Sequence, residues 1–452
     1  MSGVLELHKT YEHVSLARVR LELLFDAGTF HPLRSEVADG VVCGSGRVNG
    51  RPVCAWAQDG AYKGGSLGVA GGETIAATIR RADKLGCPVV GFPHSAGARL
   101  QQGTGALTAY GTIFHAQSNA RVPQTSVIGG PCAGGGAYSP ALGDIVILAG
   151  ERARMFLTGP KVVEAAIGEE ISSRDLGGTR VHMANGVAHL LAVDDVDAAR
   201  LTREVLAHLP SVIGGPLPLA PPLDPVRGNP AAVIPPTSDG AQPNGRPFPK
   251  PYYDIRHLAL HLLDGGELLE LSDRWAPNLV VGFARIDGRP IGVIANQPRV
   301  LGGCLDAEAS EKGAWFINMC NRFGVPLLVL VDTPGFLPGS VQEEAGVIRK
   351  GASLVHAFAS ASVPRITLTV RQAYGGAHIA MNSRALGATL TLAWPTTKIG
   401  IMGATQAKQI LGQEVPDDPA QLAASDGHVD EVIEPQRTRA RLVHELDMAC
   451  QR

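Results

Sequence analysis

Aromatic side chains make up only 5% of this 452-residue chain, and charged ones only 18%. No long block of basic residues occurs and the formal net charge is −2. Phosphate-backbone binding needs clustered Lys and Arg, so a nucleic-acid partner is not expected. No C-x-x-C pair links any of the seven cysteines (Cys43, Cys54, Cys87, Cys132, Cys304, Cys320 and Cys450), which argues against a zinc ribbon. The odd cysteine count and the lack of a signal peptide point to a reducing, cytoplasmic compartment. No apolar run approaches the ~20 residues that span a bilayer, so no membrane partner is expected. A phosphate loop of the G-x-x-x-x-G-K-[ST] type is missing as well. What the chain has instead is a 45% hydrophobic fraction, 55 glycines and 32 prolines. The glycines lie scattered among hydrophobic runs, as expected for many tight turns and close backbone approaches rather than for disorder.

The length suggests two domains of roughly 200 residues each. Residues 214–251 are dominated by Pro and Gly and carry no hydrophobic period, so they read as a linker between a domain at 1–213 and another at 252–452. The two halves resemble each other. RVNGRPV (47–53) matches RIDGRPI (285–291), and GCPVV (86–90) matches GVPLL (324–328), both at an offset of 238. VPQTS (122–126) matches VPRIT (363–367) at 241, and Leu148-Ala149…Gly159 matches Leu392-Ala393…Gly403 at 244. Ordered matches with a slowly growing offset imply internal duplication of one fold. Within each copy, an Asn-Gly or Asp-Gly hairpin precedes a helix and a short buried strand. GETIAATIRRADKLG then PVVGF, and ASEKGAWFINMCNRFG then PLLVLVD, predict α/β layering.

The run PCAGGGAYSP (131–140) is the densest glycine cluster. At offset 241, Gly134-Gly135-Gly136 falls opposite Gly375-Gly376-Ala377 in RQAYGGAHIAM. Each cluster follows a β-rich stretch and precedes a helical one. The first amides of a helix lack intrahelical partners, and small residues let an oxygen approach them. Two such places in a duplicated fold suggest oxyanion-type cradles. Close packing of helix on sheet also selects glycine.

Many stretches resemble the carboxyltransferase β subunit of biotin-dependent acyl-CoA carboxylases. They include GGSLG (64–68), GARLQQG (97–103), PCAGGGAYSPAL (131–142), NLVVGFARIDGRPIGVIANQP (278–298), VDTPGFLPGSVQEEAGVIRKGA (331–352), AYGGAHIAMNSR (373–384) and GHVDEVIEP (427–435). The resemblance covers nearly the whole chain. It implies two crotonase-like (ββα superhelix) domains and a hexameric homo-oligomer. It also implies an active site between the N-domain of one subunit and the C-domain of another. By this resemblance, Gly134 and Gly135 amides hold the thioester oxygen of an acyl-CoA as it becomes an enolate. Gly376 and Ala377, beside Gly375 and Gly403, hold the ureido carbonyl of biotin. His94, Ser95, Ala96, Gly97, Arg99, Ala133, Tyr138 and Ile379 then line the substrate side. No biotin-accepting Met-Lys motif and no ATP-binding domain occur, so a biotinylated carrier and a biotin carboxylase are expected as separate chains. No metal is implied.

Several residues depart from the family pattern. His94 stands where an acidic residue is usual, while Asp332, opposite it at offset 238, keeps the acid. His94 either titrates at the mouth of an acyl-CoA pocket or fills space. Gln102 replaces a common glutamate. Ile379 occupies a place that is aspartate in several members, and either selects the acyl group or belongs to the core. Arg99 and Lys63 are candidates for the CoA phosphates. Lys312 and Arg371 are candidates too, or structural ion-pair residues. The N-terminal helical segment is short, and residues 402–430 are compact where the family carries a longer excursion. Three readings follow: a carboxyltransferase, a decarboxylase or acyltransferase on the same fold, and a non-catalytic scaffold.

Overall fold

The computed structural model describes residues 15–235, 252–403, 410, 412 and 418–450. The chain divides into two compact units, Met1–Pro216 and Leu217–Arg452. In the first, helix α1 (Leu16–Leu24) begins at Ser15, whose hydroxyl accepts the Arg18 amide. Strand β1 (His31–Leu33) pairs antiparallel with β2 (Val41–Val48), and β2 with β3 (Arg51–Gln58). The β2–β3 turn holds Asn49 at φ 50° and Gly50 at φ 75°, the doubly left-handed backbone that a two-residue hairpin needs. Helix α2 (Val69–Leu85) ends on Gly86 at φ 61°, which closes the helix without a Cβ clash. After it come β4 (Val89–Phe92), α3 (Gly103–Asn119) and β5 (Gln124–Ile128). The short β6 (Pro131–Ala133) leads into α4 (Gly135–Ala141), followed by β7 (Ile145–Ala149), β8 (Arg154–Phe156) and β9 (Leu190–Ala192). The main sheet runs β1-β2-β3-β4-β5-β7-β9, parallel from β3 onward, while β6 and β8 pair off to one side. Trp56, Ile75, Ile79, Val89, Tyr110 and Ile113 belong to one buried cluster that joins the sheet to α2 and α3.

The second unit repeats this plan. β10 (Leu269–Leu271), β11 (Leu279–Ile286) and β12 (Arg289–Asn296) are antiparallel. Helix α5 (Ala307–Phe323), β13 (Leu327–Thr333), α6 (Val347–Ser360), β14 (Arg365–Tyr374) and α7 (Gly375–Ala380) follow. Next come β15 (Leu390–Ala393) and β16 (Lys398–Gly400). The duplication is visible in the pairing register itself. Cys54 opposes Val89 in the first unit, and Gly292 opposes Leu327 in the second, both 238 residues on. Val89 opposes Gln124, and Leu327 opposes Arg365, which is 241 beyond Gln124. The hairpin turn repeats as Asp287 (φ 53°) and Gly288 (φ 73°).

One sequence match slips. Thr125 pairs with Ile145 and Ile366 with Leu390, so Leu148 corresponds to Ala393 at an offset of 245, not to Leu392. The offset of 244 returns at β8 and β16, where Met155 and Ile399 pair with Cys132 and Ala373. Buried strands are apolar at every position, so a repeated Leu-Ala dipeptide does not define register there.

The Pro- and Gly-rich stretch does not run free before the second unit. The Ala220 amide donates to Gly288 O (3.0 Å), Arg285 Nη1 to Pro218 O (2.8 Å) and the Val226 amide to Leu260 O (3.1 Å). Residues 236–251 of that stretch, residues 1–14, and positions 404–409, 411 and 413–417 of the compact segment lie outside the described residues.

Lys312, on α5, is fully buried and pairs with no carboxylate. Its ammonium donates to the carbonyls of Ser272 (2.9 Å) and Trp275 (2.8 Å). Burial pulls it down to about 8, with Glu270 and Asp273 acting against that. The unfolded chain therefore holds a proton there up to about pH 10.5 that the folded chain has released. Stability rises with pH across that window. Urea unfolding at pH 8 and pH 10.5 should show about 3 kcal/mol of this gain in the wild type and none of it in Lys312→Met.

Candidate active site

Both units turn from strand to helix through a left-handed glycine. Gly134 has φ 60° between β6 and α4, and Gly375 has φ 59° at the end of β14. A side chain is strained in that backbone, which explains the first glycine of each cluster without reference to any ligand. The amides differ from the expectation. Gly134 donates to Phe156 O at 3.1 Å, continuing the β6–β8 ladder, so its N–H is engaged inside the fold. The Gly136 amide meets the Tyr110 hydroxyl. Of the three, Gly135 is the one whose amide meets no acceptor among the described residues. In the second unit the amides of Gly376 and Ala377 meet none there either.

Steric need separates the two cradles further. A Cβ on Gly135 would stand 2.7 Å from the Tyr110 ring, and one on Gly136 would stand 3.0 Å from Ser95 Cβ. Packing alone demands glycine at Gly135. A Cβ on Gly376 meets only the Phe336 ring, at 3.8 Å, which is ordinary contact, and its φ is not left-handed. Gly135→Ala should therefore lower stability by about 1–3 kcal/mol, read by thermal melting; an unchanged melt would refute the clash.

The loop after β4 closes the first junction. Ser95 is fully buried, and its hydroxyl bonds Tyr110 (2.9 Å) and accepts the Gly97 amide (3.1 Å). Burial pushes Tyr110 up to about 12, so it stays a neutral hydrogen-bonding post. Ser95 thus positions the loop rather than facing substrate. The second unit repeats the turn with Thr333 and Gly335 (3.3 Å). Gly97 lies at φ 100°, Ala96 is exposed, Ala133 half-buried, and Tyr138 is 51% exposed with its ring edge-on to Phe114. Arg99 does not reach out for phosphates. It pairs with Asp39, donates to Ser66 O (2.7 Å), and its side chain is 4% exposed. Lys63 remains an exposed cation, 5.3 Å above the Tyr62 ring.

His94 and Asp332 occupy equivalent positions but keep different company. Asp332 is fully buried, pairs with Arg371 (2.9 Å) and accepts the Tyr253 hydroxyl (2.7 Å). Arg371 is thus a structural ion-pair residue. Its counterpart at offset 241 is Gly130, and the His94 ring fills the space this leaves. A Cβ on Gly130 would come 2.6 Å from Cε1, and one on Gly60 2.4 Å from Nε2. Burial, and then Arg20, holds His94 below the usual imidazole range. Ile379 is not core: it is 42% exposed beside a cavity. Gly403 is half-buried. Sequence reasoning missed Tyr110, Phe156 and Asp39. No local pattern marks them, because each acts on a partner brought near only by the fold.

A family model described as the carboxyl transferase domain matches residues 12–452. The chain belongs to the carboxyl transferase family. This carboxyl transferase is 42% identical over 477 residues to the propionyl-CoA carboxylase beta chain of Saccharopolyspora erythraea, covering 96% of this chain and 87% of that one. It is 40% identical to the methylmalonyl-CoA decarboxylase subunit alpha of Veillonella parvula, covering 96% and 89%. Among solved structures it resembles transcarboxylase 12S, described as a hexamer with methylmalonyl-coenzyme A and methylmalonic acid bound. There the TM-score is 0.89 and the identity 38%, with 99% of this chain and 92% of that chain covered. The α/β architecture is the crotonase-like one expected from the sequence. Among the described residues, no helix is long and apolar enough to cross a membrane.

Proposed function

We propose that this chain transfers a carboxyl group to the α carbon of an acyl-CoA. The observation that carries the reading is the paired strand–glycine–helix junction with unengaged amides at Gly135 in one unit and at Gly376 and Ala377 in the other. The Gly135 amide would hold the thioester oxygen as negative charge develops on it, a role that oriented donors perform without reorganising. Gly376 and Ala377 would hold a ureido carbonyl. The donor set fits that group: two free N–H groups at a site where a Cβ meets no wall. Biotin, carried on a separate chain, would supply the carboxyl group and the proton acceptor, so this chain needs no side-chain acid–base pair. Its own task is positioning and charge stabilisation.

On this reading the first unit takes the acyl-CoA and the second the biotin, in a cytoplasmic homo-oligomer working with a biotinylated carrier and a biotin carboxylase. Ile379 is exposed where a substrate chain can reach it, which supports a part in acyl selection. The test supplies purified protein with carboxylated carrier and propionyl-CoA. Carrier-dependent formation of the malonyl-type thioester is expected. Loss of CO2 from such thioesters without biotin would replace this reading with a decarboxylase. The comparable identity to a decarboxylase subunit favours keeping that second reading in the assay.

A further inference from the structure

Beside α7 the second unit holds a cavity of about 230 Å³ that the transfer chemistry does not use. Ile379 stands among its lining residues, with His378, Ser383, Arg384 and His428. A crevice of about 10 Å³ continues from the same histidines toward Thr367, Thr369 and Thr391. The lining is rich in uncommitted polar groups. Ser383 is 5% exposed, yet its Oγ has no hydrogen-bond partner among the described residues. The ring nitrogens of His378 and His428 have none there either. Arg384 commits Nε to Asp430 (2.9 Å) and Nη1 to Gly427 O (2.5 Å). Asp430 itself is turned to Thr391, accepting its amide and its hydroxyl (2.8 and 2.7 Å).

Buried polar groups without partners are costly, and a site that keeps them selects a ligand that satisfies them. A purely apolar chain end would leave the Ser383 hydroxyl and both imidazoles unpaired. A cation is disfavoured by Arg384, and among the described residues no third His, Cys, Asp or Glu joins the two histidines as a metal set. A compact acceptor with two oxygens answers all of these groups at once. The volume is below that of a drug-sized pocket and suits a short chain. Burial, and then His428, holds His378 below the usual imidazole range, so His378 enters neutral and can take a proton beside an anion.

We propose that this cavity is a carboxylate subsite, taking the free carboxyl end of a short acyl chain or of a free dicarboxylate. Ile379 at the rim would pack against the methylene groups while His378, Ser383 and His428 receive the oxygens. For the acyl source the inference rests on the carboxyl-transfer reading; for the free acid it stands without it.

Two measurements on the full chain decide it. Calorimetric titration with glutarate, against 1,5-pentanediol as the uncharged control, is run on the wild type, Ser383→Ala and His428→Phe. Carboxyl transfer to glutaryl-CoA is compared with transfer to pentanoyl-CoA in the same three proteins. A wild-type kcat/KM ratio of about tenfold or more for glutaryl-CoA, falling about tenfold in Ser383→Ala, supports the acyl source. Glutarate binding that weakens about tenfold in either variant, with no preference between thioesters, supports the free acid. Binding unchanged in both variants, or no binding together with a preference for pentanoyl-CoA, overturns the subsite. If no thioester is carboxylated at all, the transfer reading fails, and the titration alone decides the cavity.

Discussion

Gly376→Ala should lower carboxyl transfer by at least about 100-fold while the melting temperature holds or rises slightly. The folded chain has room for the new methyl group, whose nearest neighbour is the Phe336 ring at 3.8 Å. Gly376 lies inside α7 with a φ that alanine adopts, so the change favours the helix by about 0.5–1 kcal/mol. Nothing within the described fold therefore requires glycine there. A ligand oxygen approaching the Gly376 and Ala377 amides does require it, because a methyl group would occupy the path to the N–H groups. Steady-state transfer assays and thermal melts on the same preparation separate the two effects. Full activity in Gly376→Ala would remove this cradle from the mechanism. Gly135→Ala cannot decide the matter, since the Tyr110 ring already forbids its methyl group.

Asp332→Ala should cost about 3–5 kcal/mol of stability, measured by urea titration. The carboxylate is fully buried, and its removal strands the Arg371 guanidinium, whose side chain is 11% exposed, together with the Tyr253 hydroxyl. Breaking one side of a buried pair leaves an uncompensated charge, which is far costlier than losing a surface pair. A loss below about 1 kcal/mol would mean that water or another group reaches Arg371 readily. The comparison with His94 sharpens the point. There the duplicated position holds an imidazole in a slot between two glycines, so the first unit replaces a buried ion pair by filled volume.

Much of the architecture was legible in the chain because its causes are local. Asn49-Gly50 and Asp287-Gly288 need left-handed backbone at two successive residues, and few residue pairs tolerate that. Gly86 and Gly324 end helices for the same steric reason. The duplication could be read from ordered matches, and it failed by one residue only at β7, where an all-apolar strand carries no alternation to hold the register. The paired glycine clusters were found as well, since Gly134 and Gly375 share one backbone conformation.

Site assignments resting on the fate of a single group were less legible. Ser95 and Arg99 lie in a motif that points to substrate, yet both are held inward, by Tyr110 in one case and by Asp39 and Ser66 in the other. Ile379 read equally well as core or as lining; its 42% exposure places it at the surface.

The amino-acid sequence by itself determined the family, the doubled α/β plan and the places where backbone must bend without a side chain. Those follow from short-range sterics and from patterns that the chain carries in order. Tertiary structure decided which amides are left to act. Phe156 takes the Gly134 N–H and Tyr110 takes that of Gly136, from about 20–30 residues away along the chain. A hydrogen-bond donor is free only when folding brings it no acceptor, and that outcome depends on residues distant in sequence.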